Sequence, residues 1–354
     1  MFSHTAFFSS LVTSGSTANS LALATLTSET LKKRILPGDE VITPAVTYAT
    51  TVFPILDINA VPVLVDIDLK TLNIDIDLIE EAITPKTKAI MPVHLLGNPC
   101  DMIAINKIAK KYNLYVIEDT ADSSGAEFNN KKCGSFGDIS TFSFFFTHIM
   151  TTIEGGMVCS RNKNISEIIK SKRQFGWIRD LSNKDYYANK YKNIDPRFLF
   201  LTRGYNYKPT EVQGAFGIHQ LKKLDTYVEN RRLNANFWSK RFEKYSDTII
   251  TIQEQPKTKS AWYGFPIIVK KNAPFKKQDL IKFLNKKGVQ TRPILSGNMA
   301  QQPVAKTFKY KQTTLKNSIF VNDNSFWLGN HQEINKTERE AVACYVEEFM
   351  NKYY

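Results

Sequence analysis

From about residue 14 to 160, short apolar runs alternate with helically periodic stretches, the pattern of a parallel sheet covered by helices. The runs predict strands at 40–43, 63–66, 89–93, 115–118, 139–143 and 156–159, and the periodic stretches predict helices at 18–31, 77–82 and 102–112. The intervals leave room for right-handed crossovers. Residues 170–208 carry many aromatic and charged side chains, among them Trp177, Tyr186, Tyr187, Tyr191 and Tyr205, and their weak periodicity reads as an irregular connection. A long helical pattern from Pro209 to about Tyr245 follows, then a strand at 264–269 and a helix at 277–287. The expectation is a large α/β domain over 1–235 and a smaller α+β domain over 236–354, divided within the long helix.

Composition narrows the class. Apolar residues make up 42% and charged residues 23%, ordinary globular usage that excludes a disordered or fibrous chain. No apolar run of about 18 residues is present to span a bilayer, and the opening Met1-Phe2-Ser3-His4-Thr5 lacks the basic start and cleavage site of a signal peptide. A cytoplasmic protein without a membrane partner is expected. The net charge of +13 comes from scattered lysines such as Lys107, Lys110 and Lys111, which read as solvated helix faces and not as a nucleic-acid surface. Cys100, Cys133, Cys159 and Cys344 form no C-x-x-C pair, so a zinc site, redox motif or disulfide framework is not expected.

Three stretches carry candidate chemistry. Thr13-Ser14-Gly15-Ser16-Thr17-Ala18-Asn19 stands before a predicted helix; small residues and free N–H groups there suit a phosphate, and they equally suit a plain N-cap. Val116-Ile117-Glu118-Asp119-Thr120-Ala121-Asp122 ends an apolar strand in acids at the carboxyl edge of the sheet. A carboxylate there suits a protonated pyridine nitrogen, with a metal cluster as the rival reading. The third runs from Asp138 through Ser143 to His148 and on to Glu154-Gly155-Gly156.

The order of Ser143, His148 and the Glu-Gly-Gly strand resembles the active-site signature of the DegT/DnrJ/EryC1/StrS sugar aminotransferase family. The resemblance continues through Pro37-Gly38-Asp39-Glu40-Val41-Ile42, His94-Leu95-Leu96-Gly97-Asn98-Pro99 and the segment from Gly204 to Gln213. It implies a pyridoxal-phosphate-dependent transferase fold of type I, with a mixed, mostly parallel sheet. In that family the residue matching His148 is normally the lysine that bonds the cofactor. An imidazole has no primary amine for that bond, but carries protons near neutrality.

One branch with this histidine consists of the 3-dehydratases of 3,6-dideoxysugar formation, and stretches such as Thr291-Arg292, Gln302-Pro303 and Asn324 to Gly329 are similar to it. The resemblance implies a PLP/PMP-dependent dehydratase of a nucleotide-linked 4-keto-6-deoxyhexose, in the deoxysugar branch of O-antigen and lipopolysaccharide biosynthesis, with glutamate as amino donor and no iron–sulfur cluster. It assigns proton transfer to His148, the phosphate to Gly15, Ser16, Thr17 and Ser143, the pyridine nitrogen to Asp119, ring stacking to Tyr48 and the neighbourhood of the ring hydroxyl to Asp122. Asn206 would complete the phosphate site of the other subunit of a homodimer, and Arg292 is a candidate substrate contact. Two departures stand out: Ile149 follows His148 where that branch often has a second histidine, and only thirteen residues precede the phosphate loop. The alternative is a lysine-less relative that binds cofactor or nucleotide sugar without turnover.

Overall fold

The computed structural model describes residues 7–353; the opening stretch Met1 to Thr5 lies outside them. The large sheet draws seven strands from the first half of the chain: β1 (Phe8–Val12), β2 (Glu40–Pro44), β3 (Val61–Val65), β4 (Thr87–Ile90), β5 (Tyr115–Asp119), β6 (Ile139–Ser143) and β7 (Gly156–Ser160). Between and after them lie α1 (Gly15–Leu26), α2 (Ala49–Asp57), α3 (Ile76–Glu81), α4 (Met102–Lys111) and α5 (Lys163–Arg173). The C-terminal part adds β8 (Ile249–Thr251), β9 (Gly264–Val269), β10 (Thr291–Arg292), β11 (Lys311–Gln312) and β12 (Ser325–Gly329). The large sheet runs β1-β7-β6-β5-β4-β2-β3-β11, parallel except for β7, which is antiparallel to both of its neighbours.

Strands β2, β5 and β6 are buried at every position. Helices cover both faces of the sheet, so these strands show no regular apolar–polar alternation. On one face Leu21, Ala22 and Leu26 of α1 pack with Ala89, Ile117 and Ile139. On the other, Ile79 of α3 and Met102 and Ile105 of α4 pack with Ile42, Ile90 and Val116. Helix α1 is apolar nearly all round because it lies within that core. It starts three residues before the expected 18, where Ser14 caps it, and stops at Leu26, short of the expected 31. There Thr27 Oγ1 bonds back to Ala24 O at 2.8 Å.

Two expectations need correction. The connection at 170–208 is partly regular: α5 reaches Arg173, α6 (Lys184–Lys190) lies within it, and Ile178, Leu181 and Leu199 form a small core of their own. The long helical pattern is two helices, α7 (Glu211–Leu221) and α8 (Leu224–Phe242). Helix α8 buries Leu224 and Val228 beside Gly125 of the large domain and Trp238 and Phe242 against Phe265 of the small lobe, whereas α7 has no fully buried residue.

The small lobe is an antiparallel sheet, β8-β9-β12-β10, with α9 (Lys277–Lys286), α10 (Lys316–Asn324) and α11 (Lys336–Met350). The chain returns to the large sheet between them. Strand β11 pairs parallel with β3, and Asp66 accepts from the N–H groups of Asn317 (2.8 Å) and Ser318 (2.7 Å) at the start of α10. No helix among the described residues is long and apolar enough to cross a membrane.

Candidate active site

A cavity of about 500 Å³ opens at the carboxyl edge of β5 and β6, walled on its far side by Tyr263, Arg292 and Trp327 of the small lobe. Gly15, Ser16, Tyr48, Asp119, Asp122, Ser143, His148 and Arg292 all line it; Thr17 and Asn206 do not.

Gly15 opens α1 against the end of β6. A methyl group there would lie 2.5 Å from Ser143 Cβ and 2.7 Å from its hydroxyl oxygen, so the helix N-terminus and Ser143 meet only because residue 15 is glycine. Ser14 Oγ accepts from the Thr17 N–H at 3.1 Å while the Ser14 N–H donates to Thr17 Oγ1 at 3.0 Å. The Thr17 hydroxyl is used inside this capping box, which keeps it out of the cavity expected for it. No acidic side chain occupies the first turn, leaving the positive helix end open to an anion. The Gly-Gly pair has a similar reason: a methyl on Gly156 would lie 2.3 Å from Ser14 O.

Strand alternation sends Glu118 and Asp119 to opposite sides. Glu118 is fully buried and accepts the N–H groups of Gly134 (2.7 Å), Phe136 and Gly137 (both 2.6 Å). His94 Nδ1 accepts from the Cys100 N–H at 3.0 Å, so its Nε2, 3.3 Å from Glu118 Oε2, carries the proton and donates. The two acids therefore do not converge. Asp119 faces the cavity: its Oδ2 accepts from Asn19 Nδ2 and Thr51 Oγ1, both at 2.9 Å, and its Oδ1 from the Ala121 N–H at 3.2 Å. Thr141 Oγ1 donates to Asn19 Oδ1 at 2.6 Å and fixes that amide. Burial raises the Asp119 carboxyl pKa, and these donors oppose the shift.

His148 stands on a loop closed at its base, where the Phe144 N–H donates to Gly155 O and the Thr152 N–H to Phe144 O, both at 2.9 Å. Ile149 and Met150 are buried beneath it, so Ile149 belongs to the core and does not line the cavity. His148 Nδ1 lies 3.7 Å from Asp122 Oδ1. Burial, then the positive charge of Arg231, lowers His148 to about 4; burial, then the charge of Asp119, raises Asp122 to about 7 against the Leu96 N–H. The Tyr263 ring lies 5.2 Å from the imidazole, centroid to centroid, and its hydroxyl is 3.2 Å from Thr147 Oγ1. Tyr48, the residue before α2, is 57% exposed on the cavity wall, and the Arg292 guanidinium lies 5.8 Å over the Trp327 ring. No lysine stands among the described residues that line the cavity.

Residues 4–347 match the DegT/DnrJ/EryC1/StrS aminotransferase family. The chain belongs to that family. It is 41% identical to a GDP-4-keto-6-deoxy-D-mannose 3-dehydratase of Yersinia pseudotuberculosis, over 92% of this chain and 83% of the relative. It is 36% identical to the lipopolysaccharide biosynthesis protein RfbH of Salmonella typhimurium, over 95% and 80%. A solved GDP-4-keto-6-deoxymannose-3-dehydratase with a trapped PLP–glutamate adduct superposes with a TM-score of 0.88 at 37% identity, covering 96% of this chain and 88% of that one. The fold is that of the PLP-dependent aminotransferases.

Within this family fold, Asn206 lies away from its own chain's cavity, in a backbone bridge with Gln174. The orienting parts played by Asn19 and Thr51, and the places of Tyr263 and Arg231, have no local signature. Tyr263 merely precedes the strand read at 264–269, and Arg231 is one basic residue on a basic helix.

Proposed function

We propose that this chain removes the C3 hydroxyl of a nucleotide-linked 4-keto-6-deoxyhexose, as a PMP-dependent 3-dehydratase serving deoxysugar and lipopolysaccharide biosynthesis. The observation that carries the reading is His148 in a lysine-free cavity otherwise furnished for the cofactor. The donor set fits that group: the cradle that a Gly15 methyl would fill, with Ser16 and Ser143, suits a phosphate. The Asp119 carboxylate, braced by three donors, suits a protonated ring nitrogen, and exposed Tyr48 suits a planar ring. When bound, the cofactor supplies the amine that engages a C4 ketone and an electron sink for the adjacent carbon.

The chain's own part is proton handling without a covalent hold. His148 has no primary amine, so the cofactor stays free to leave and to be reloaded. Its neutral ring takes a proton at Nε2 and returns one to the departing C3 hydroxyl. Glutamate is the donor we assign for restoring the amine form, as the adduct in the solved relative suggests. The reaction is placed in the cytoplasm, where nucleotide sugars and glutamate are available.

A C₂ homodimer belongs to the same proposal. Helix α7 has no fully buried residue and leaves Val212, Phe216, Ile218 and Leu221 exposed round much of its circumference, apolar surface suited to cover by a second copy. Asn206 would then serve the neighbour's phosphate site. The reaction is tested by incubating the purified protein with PMP, glutamate and a nucleotide-linked 4-keto-6-deoxyhexose and weighing the product by mass spectrometry. Loss of the C3 hydroxyl is expected; a 4-amino sugar, or unchanged substrate, would refute the proposal.

A further inference from the structure

The turn at Leu95–Gly97 lies beside the large sheet, in a stretch to which the proposed chemistry gives no task. Leu96 has φ of 51°, in the left-handed region, where a leucine is strained and persists only if its surroundings over-determine it. The surroundings are specific. The Leu96 N–H donates to Asp122 Oδ2 at 3.3 Å, and the Leu96 carbonyl accepts from the Tyr263 N–H at 2.9 Å. Asp122 and Tyr263 both flank the His148 ring, and one residue holds both. The Leu95 N–H donates to Asn73 Oδ1 at 3.1 Å, and Gly97 O accepts from the Ala261 N–H at 3.0 Å. Gly97, with φ of 88°, brings the turn so close that a methyl group would lie 2.8 Å from the Trp262 nitrogen.

Inside this bracket His148 Nδ1 is sealed from solvent without a hydrogen-bond partner among the described residues, and Asp122 Oδ1 is the acceptor it faces at 3.7 Å. We infer that Asp122 and His148 work as one proton-holding pair set by the Leu95–Gly97 turn, with Asp122 the positioning residue that keeps the Nδ1 proton and leaves Nε2 to the substrate. The inference rests on the proposed function and adds an element to it. Other charged or titratable groups facing the pair are Asp119 at the end of β5, Arg231 on α8, Tyr263 before β9, Arg292 on β10 and Glu154 on the loop after His148. Arg231 is buried and donates to Tyr263 O at 3.1 Å, to Asn330 O and to Gln332, and no carboxylate among the described residues pairs with it. Its charge disfavours an imidazolium that stands alone. An Asp122 carboxylate against Nδ1–H is then what makes proton uptake at Nε2 feasible.

The balance is simple. A C–H bond breaks and leaves its electron pair on carbon while the proton joins Nε2; the Nδ1–H bond turns to the Asp122 carboxylate. On return, the Nε2–H bond breaks and its proton joins the C3 hydroxyl oxygen; the electron pair left on carbon moves into a new double bond as the C3–O bond breaks, and the oxygen keeps that bond's pair and leaves as water.

The test uses the full chain loaded with PMP and labelled with ¹⁵N-histidine, as parent, Asp122→Asn and Asp122→Glu. The His148 tautomer and titration are read by NMR, and dehydration is measured against pH. In the parent, His148 is expected to keep its proton on Nδ1 and to sense a titration near pH 7 that it shares with Asp122. In Asp122→Asn that shared step disappears, the tautomer preference is lost and kcat falls about tenfold or more with little change in KM; Asp122→Glu recovers part of both signals. A tautomer and pH profile unchanged in Asp122→Asn overturns the inference. Should Asp122→Asn not fold, Asp122→Glu decides alone, since the longer arm must shift the shared titration if the pair exists. A parent that shows the shared titration but dehydrates nothing refutes the proposed reaction and leaves the pair standing.

Discussion

Replacing Gly15 with alanine tests the cradle most directly. The added methyl would sit 2.5 Å from Ser143 Cβ, 2.7 Å from Ser143 Oγ and 3.2 Å from Ser143 Cα, where unstrained carbon contacts need about 3.5–4.0 Å. Roughly 1 Å must be found by moving the start of α1 away from the end of β6. Overpacking of that size costs about 1–3 kcal/mol, and if the strain falls on the phosphate site the cofactor binds about 5- to 150-fold more weakly. Alanine is a better helix former than glycine, so weaker binding cannot be blamed on a weaker helix. The neighbour supplies a second test. Ser143→Ala keeps the Cβ that causes the clash and should not relieve Gly15→Ala, whereas Ser143→Gly removes it and should. The double mutant would then lose less than the two single losses together. Calorimetric titration of the cofactor-free proteins with pyridoxal phosphate measures each affinity. If Gly15→Ala binds within twofold of the parent, or if Ser143→Ala and Ser143→Gly relieve it equally, the phosphate does not lie at this junction.

Three further outcomes are expected. His148→Asn should retain cofactor but lose roughly 10²–10⁴-fold of the dehydration rate, while His148→Lys should give an adduct at residue 148 trapped by borohydride and turn the chemistry toward amino transfer; full activity in the first or no adduct in the second would exclude residue 148 from the reacting centre. The cofactor-free protein should show opposed pH slopes. Asp122, raised to about 7, gives stability that is present below about pH 4 and lost as pH rises to about 7, and His148, lowered to about 4, gives stability that is present above about pH 6.5 and lost as pH falls to about 4. Asp122→Asn removes the falling contribution, so its stability relative to the parent should climb by roughly 2–3 kcal/mol between about pH 4.5 and 6.5; urea melts at fixed protein concentration that give parent and variant the same slope would contradict this. Light scattering at micromolar concentration should find a dimer, and Phe216→Glu on the exposed face of α7 should weaken it; a monomeric parent would remove the role given to Asn206.

The sheet was legible because its strands are buried on both sides. A run such as Tyr115–Asp119 or Ile139–Ser143 shows no regular apolar–polar alternation, and the cavity opens at its carboxyl end. Helix α2 went unread since it is nine residues long and contains Pro54, and β11 is two residues whose place at the sheet edge is set by tertiary pairing with β3. The site divides along the same line. Gly15, Asp119 and Ser143 stand at ends of elements and His148 on the loop after β6, in a fixed order, so family order carries them. Thr17 was misread because a cap and an anion site use the same residue types at the same positions, and only geometry separates the hydroxyl that caps from the glycine that yields space. Tyr263 and Arg231 reach the site from 115 and 83 residues beyond His148, a distance over which local pattern is silent.

Asp119 and Asp122 show why residue type alone could not assign the chemistry. They stand three residues apart, both buried and both shifted upward by that burial. Asp119 is met by an amide, a hydroxyl and a backbone N–H, all of which favour its charged form. Asp122 has one such donor, the Leu96 N–H, and the charge of Asp119 works against it. Two carboxylates whose surroundings push them apart in this way take different parts. On the proposed reading Asp119 keeps a negative charge where a cationic nitrogen is to be held, and Asp122 passes between charged and neutral as the neighbouring imidazole gains and gives up a proton. Exchanging their donors, not their identities, is what would exchange their tasks.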